Sequence, residues 1–198
     1  MSNVLVEIGT THIDLPERCR LALISDTHIY PHGQRAVPEE VHELFARAEV
    51  DYIVHGGDVM WQGVLDQLAT IAPVIAVRGN NDRGDFGARL PMIVELTSSG
   101  RLIRVIHGHG GRSARALASD QAIGAKCVIY GHSHIPKVER VSEAILVNPG
   151  SPSDRRWHPH FGVGFLEITP DWIRPELILF TDPRDLEKVK PGWESGRG

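Results

Sequence analysis

The chain has 198 residues, of which 41% are hydrophobic and 23% charged; these are ordinary globular values and exclude a mainly disordered or fibrous protein. At this length about 70% of the unfolded chain's surface can be buried, so one domain spanning residues 1–198 is expected, with no disulfide needed to hold it. The formal charge of −4 supplies no strong field for polyanions, and no long basic run argues for nucleic acid as a partner. Along the chain, Val4 to Ile8 reads as a strand and Arg20 to Ser25 as a buried one. Pro38 to Ala48 reads as a helix, with Glu39 and Glu40 in its first turn and Val41, Leu44, Phe45 and Ala48 at helical spacing. Tyr52 to Val54 is a short strand, Trp61, Val64, Leu65, Leu68 and Ala69 form one helical stripe, and Val74 to Val77 is the next strand. This alternation predicts parallel neighbours joined by crossovers.

Met92 to Leu96 and Leu102 to Ile106 flank Ser-Ser-Gly as a hairpin. Ala114 to Ile123 reads as a small-residue helix and Cys127 to Tyr130 as a buried strand. Val138 to Val141, Ile145 to Val147, Gly162 to Ile168 and Trp172 to Leu179 follow with short gaps, so the second half is expected to be antiparallel, ending in a polar tail from about residue 181. Two face-to-face sheets with helices outside accommodate both halves. Cys19 and Cys127 read as buried thiols of a reducing compartment. No apolar stretch approaches the roughly 18 residues of a membrane span, and Met-Ser-Asn-Val-Leu-Val-Glu lacks the regions of a signal peptide. A cytoplasmic protein is expected.

Five strands each run into a polar cluster: Asp26-Thr27-His28, Gly56-Gly57-Asp58, Gly79-Asn80-Asn81-Asp82, His107-Gly108-His109 and Gly131-His132-Ser133-His134. Ligands of open α/β sheets bind beyond the carboxyl ends of strands. Carboxylate oxygen, amide oxygen and imidazole nitrogen, without a positioned thiolate, suit Mn, Fe, Zn or Co. Each short pattern alone is weak evidence, because Gly-Asp and Gly-Asn are common turns. All five in this order, each at a strand end, are hard to reach by chance.

The series Asp26-x-His28, Gly57-Asp58, Gly79-Asn80-x-Asp82, His107-Gly-His109 and Gly131-His132-x-His134 resembles the calcineurin-like metallophosphoesterases. The size and the later Asn148-Pro149-Gly150-Ser151 resemble the small phosphodiesterase branch called YfcE-like, over roughly Leu21 to Leu179. The resemblance implies a four-layer α/β/β/α sandwich with mixed sheets and a metal-dependent phosphodiesterase, in which a metal-bridging hydroxide at a dinuclear centre attacks a phosphoester. One metal would be held by Asp26, His28, Asp58 and His134, and the other by Asp58, Asn80, His107 and His132. Two divalent transition-metal ions are expected, manganese ahead of iron, zinc, nickel and cobalt. A phosphomonoesterase or protein phosphatase on the same site is the alternative; so is a non-catalytic protein-binding module, the use to which the related retromer subunit puts this fold.

His109 is the first candidate for contacting the phosphate or protonating the leaving group. Many relatives carry His where this chain has Asn81, and that His is assigned as general acid; Asn81 cannot supply a proton in that way, so esters with good leaving groups are expected to react best. Asp82 is expected to orient a histidine, with a turn cap as the alternative. Arg78, Arg83, Arg155 and Arg156 are candidates for clamping phosphate, each with a surface charge as the plainer reading. Asn148 and Ser151 fit a tight turn, His55 a hydrogen-bonded strand end, and His32, His158 and His160 loops. Trp157 is read either as a stacking face for a base or aryl group, or as buried or a self-association contact. The expected partner is a small phosphoester, with a homo-oligomer in view through the first strand and the Trp157 loop.

Overall fold

The computed structural model describes residues 10–190. Its strands form two mixed sheets. The first carries the order β1(Thr10–Asp14), β5(Ile93–Ser98), β6(Arg101–Ile106), β7(Cys127–Ile129), β9(Ala144–Asn148), β8(Lys137–Val141). The second carries β11(Ile173–Phe180), β10(Phe161–Ile168), β2(Cys19–Ile24), β3(Tyr52–His55), β4(Val74–Ala76).

The pleat sorts the side chains into layers. On β2, Leu21 and Leu23 face the other sheet, where they meet Val94, Leu96, Ile103, Val105, Cys127, Ile129 and Val147. Ala22 and Ile24 point the other way, into a cluster with Val41, Leu44, Phe45, Val64, Leu65 and Leu68. That outer cluster is built by α1(Glu39–Arg47) and α2(Gln62–Leu68). On the far side, Val128, Tyr130 and Leu146 pack against Ala114 and Ala118 of α4(Ala114–Asp120), whose N-cap Ser113 accepts the Ala116 N–H. The result is the four-layer α/β/β/α sandwich. Each buried Leu, Ile, Val or Phe contributes about 1.5–3 kcal/mol, and the layer between the sheets fixes their mutual position.

Parallel β2, β3 and β4 follow the expected crossovers. Other expectations are corrected by the structure, and one falls beyond it. The strand read at Val4 to Ile8 lies outside the described residues, and β1 pairs parallel to β5. The second half is not wholly antiparallel: β6 and β7 are parallel, as are β7 and β9. Helix α4 makes the first crossover. Edge strand β8 makes the second, running antiparallel to β9 and returning the chain in the direction of β7. A five-residue helix, α3(Gly84–Ala88), was not expected; its two glycines erase the periodicity that would reveal it. The polar tail is partly structured. Residues Pro183–Lys188 form a 3₁₀ turn on α1, with Leu186 fully buried and its carbonyl accepting from Arg47 Nη2 at 2.9 Å. Cys19 and Cys127 are buried and free, and burial pushes both thiols up to about 12. No helix among the described residues is long and apolar enough to cross a membrane.

Candidate metal centre

The five polar clusters follow β2, β3, β4, β6 and β7, and the structure brings them to one place. Asp26 N–H donates to Gly57 O at 3.0 Å, His28 N–H to Asp58 O at 3.1 Å, and Gly131 N–H to His107 O at 3.2 Å. The His132 N–H reaches Asp26 Oδ2 at 2.9 Å. Loops from both sheets are therefore stitched together through their backbones. The packing leaves no room for a side chain at two points. A Cβ on Gly79 would lie 2.1 Å from Asp58 Oδ1, and one on Gly131 would lie 2.1 Å from Ser25 Oγ. The backbone also sits in the left-handed region at Asp26 (φ 54°), His28 (49°), Asp58 (55°), His132 (67°) and His134 (58°). Non-glycine residues adopt that region at a cost, and such residues gather at functional sites.

Two trios of donor side chains result: Asp26, His28 and His134, and Asp58, His107 and His132; within each, the donor atoms lie within 4.8 Å of one another. Asp58 joins the trios. Its Oδ2 is 3.3 Å from His28 Nε2 and 3.4 Å from His107 Nε2. Asp26 Oδ1 is 3.4 Å from His134 Nε2 and 4.0 Å from His107 Nε2. Asn80 Oδ1 lies 3.1 Å from His107 Nε2.

The nitrogens suit cations. Nε2 of His28, Nε2 of His134 and Nδ1 of His132 are buried with no hydrogen-bond partner among the described residues, an arrangement that costs free energy unless something else binds there. His107 Nδ1–H donates to Gly56 O at 2.7 Å, and His134 Nδ1–H donates to Asp154 O. Those bonds turn each Nε2 lone pair toward the carboxylates, the way a metal-binding histidine is commonly oriented. His107 Nε2 and Asn80 Oδ1, 3.1 Å apart, could both offer a lone pair to one divalent ion once Nε2 has given up its proton. Oxygen and imidazole donors without thiolate fit a borderline transition metal.

The electrostatics are those of a crowded, dry site. Burial, with Asp58 nearby, raises Asp26 to about 7 against the pull of His107, the Ser25 hydroxyl and the His132 amide. Burial also works to raise Asp58, but the His107 hydrogen bond and charge and the two Asn81 N–H groups outweigh it and hold this carboxyl below its ordinary range. Burial alone would lower His107; the hydrogen bond to Asp58 and the charges of Asp26 and Asp58 lift it instead. His28, His132 and His134 are lowered, chiefly by burial, with Arg156 adding to each; His134 comes down to about 4.

A family model described as the calcineurin-like phosphoesterase superfamily domain matches residues 19–171, which contain every residue of both trios and Asn80. The chain belongs to the calcineurin-like phosphoesterase superfamily. It is 34% identical over 136 residues to a probable metallophosphoesterase of Methanothermobacter thermautotrophicus, covering 67% of this chain and 77% of the relative. It is 33% identical over 144 residues to the phosphodiesterase YfcE of Escherichia coli, covering 62% and 75%. Among solved structures, Vps29 of Entamoeba histolytica in complex with zinc shares the fold at a TM-score of 0.64 and 22% identity, over 82% of this chain and 99% of Vps29.

The other candidates divide within this calcineurin-like frame. His109 stands beside the second trio, its ring 5.4 Å from His107 and 6.4 Å from His132, with a buried Nδ1 that has no described partner. Arg78 is half-buried and close enough to His109 to disfavour its protonation, behind the larger effects of burial and His107. Arg83 is exposed at the N-cap of α3, and its side chain pairs with none of the described residues. Asn81 grips Asp58: its backbone N–H donates to Oδ1 and its Nδ2 to Oδ2, both at 2.7 Å. Asp82 does not orient a histidine. Its carboxylate accepts the amides of Gly79 (2.7 Å), Met60 (2.7 Å) and Asp58 (3.0 Å), locking the loop after β3 to the loop after β4.

Arg155 donates to His158 O and covers the Phe161 ring, so it is part of its own loop. Asn148 Nδ2 donates to Gly131 O, Ser151 Oγ to Asp26 O, and His55 sits between Gly57 N and Thr27 Oγ1; all three hold site loops, as a structural reading expects. Trp157 is 98% exposed, which removes burial as its role. Sequence reasoning missed Asp154, whose carbonyl receives His134, and Ser153, whose hydroxyl donates to Thr27 O. Their signal was position alone: both lie within three residues of Ser151.

Proposed function

We propose that the protein is a metal-dependent phosphodiesterase with some phosphomonoesterase activity, working at a dinuclear centre. The observation that carries this reading is Asp58 Oδ2, placed within 3.4 Å of a histidine nitrogen from each trio, where one carboxylate can serve two ions. Asp26, His28, Asp58 and His134 would hold one ion; Asp58, Asn80, His107 and His132 would hold the other. Bound divalent ions, manganese first among the candidates, supply Lewis-acid polarisation of the phosphoryl group and activation of water. The kinship with YfcE, a phosphodiesterase by name, supports the diester as substrate.

The chain's own residues set the rest. Of the residues that would hold the two ions, only Asp26 and Asp58 are carboxylates, and Asn80 would add an oxygen without adding charge, so the loaded site would stay net positive toward a phosphate. Asp82 and Asn81 fix Asp58 before substrate arrives. His109 is placed to contact the phosphate or pass a proton to the leaving oxygen. Because the Asn81 amide is committed to Asp58 and is no acid, aryl diesters should react far better than unactivated alkyl esters. The substrate is taken to be a small phosphoester, and two buried free thiols support a reducing, cytoplasmic setting.

Steady-state kinetics of manganese-loaded protein on bis(p-nitrophenyl) phosphate and p-nitrophenyl phosphate test the reading. The diester should show the higher kcat/KM, and Asp58→Asn should lower its turnover at least ~10²-fold. A higher value for the monoester would instead favour a phosphomonoesterase on this site. The likeness to Vps29 carries the rival, a protein-binding module. No turnover on either ester by metal-loaded protein, together with stable capture of a partner, would favour it.

A further inference from the structure

An open groove of about 560 Å³ adjoins the first trio, lined by His28, Tyr30, Gly33, Gln34 and Arg35. It is a shallow face open to solvent rather than an enclosed cavity. Gly33 N–H donates to Tyr30 O at 3.0 Å, closing a turn that leaves Tyr30 60% exposed. Arg35 Nη1 pairs with Asp154 Oδ2 at 2.9 Å, and Asp154 O receives His134. The groove wall is thereby tied to both histidines of that trio. Arg156 and the exposed Trp157 follow in the same loop. Arg156 is exposed, has no ion-pair partner among the described residues and acts electrostatically on His28, His132 and His134.

We propose that this groove is a subsite for a planar aromatic ester group of the substrate, a nucleoside or aryl group, with Tyr30 as its stacking face and Arg35 and Arg156 as its cationic rim. The proposal rests on the phosphodiesterase reading above. Aromatic faces flanked by guanidinium groups bind flat, weakly polar rings through stacking and cation–π contact. The site also has two unlike ends. His109 stands by His107 and His132, whereas the groove shares His28 with the opposite trio. A diester laid across both trios has one arm toward each end. The groove takes the ester group that is retained, and the leaving group departs on the His109 side.

Two substrates with the same leaving group test this: p-nitrophenyl methyl phosphate and the p-nitrophenyl ester of a nucleoside monophosphate. The wild type should favour the nucleoside ester at least about tenfold in kcat/KM, through KM. Tyr30→Ala should collapse that ratio toward one, and Tyr30→Phe should keep it. Calorimetric titration of metal-loaded protein with the nucleoside monophosphate gives a reading without turnover; Tyr30→Ala should weaken binding about tenfold and Tyr30→Phe should not. Equal preference for the two esters, or Tyr30→Ala lowering both to the same extent, overturns the subsite. If the wild type hydrolyses neither ester, the phosphodiesterase reading fails and the titration alone decides the groove, with unchanged affinity in Tyr30→Ala counting against it.

Discussion

Both oxygens of Asp58 are committed before any ion arrives: Oδ1 takes the Asn81 amide N–H, and Oδ2 takes the Asn81 side chain while facing His28 and His107. Asp82 holds the backbone under it by three amides. Behind them lies His55, fully buried and held neutral. Burial first, and the His107 charge second, lower it from 6.5 to about 3. Above pH 6.5 this imidazole is neutral both folded and unfolded. As pH falls from 6.5 toward 3, the unfolded chain takes up a proton that the folded protein refuses. The stability owed to this residue is therefore present at neutral pH and is lost on acidification, by up to about 1.4 kcal/mol per pH unit. Urea denaturation of metal-free protein from about pH 7 to about pH 4 should show a shallower decline for His55→Gln than for the wild type. Parallel curves would contradict a neutral, buried His55. The donor residues were legible in the sequence because five such clusters recur, each at a strand end, although any one of them alone reads as a turn. The anchors Asp154 and Ser153 were not, because they act through a carbonyl and a hydroxyl that any loop could carry.

At the scale of elements, period and punctuation gave away most strands and the longer helices. The helical stripe over Pro38 to Ala48 became α1, and Ser-Ser-Gly became the turn of the β5–β6 hairpin. Pairing partners were less legible. Nothing in the short segments β7, β8 and β9 says that the middle one goes to the edge and leaves its neighbours parallel; sheet-level packing decides that. The 3₁₀ turn at Pro183–Lys188 was hidden for a similar reason: one leucine among charged residues reads as polar chain, yet Leu186 fills the cluster under α1. Leu186→Ala should lower the stability by about 2–5 kcal/mol in urea unfolding, without altering metal content. A change within experimental error would show that the turn merely rests on the surface.

For the molecule as a whole, the sandwich explains why seven distant positions meet. Strands β2, β3 and β4 of one sheet and β6 and β7 of the other end at the same edge, and the apolar layer between the sheets sets the spacing of their loops. That convergence was readable as an order of motifs. The groove beside His28 was not, because its lining, within residues 28–35, carries no periodic pattern, and the Arg35–Asp154 pair that ties it to the loop after β9 is long-range. The whole account depends on two cations sharing one carboxylate. The most direct test is metal content, measured by plasma mass spectrometry on protein loaded with manganese and freed of excess ion. Two ions per chain in the wild type, with loss of both on Asp58→Asn, is the expected outcome. A wild-type protein that retains one ion or none, or an Asp58→Asn protein that keeps two, would contradict it.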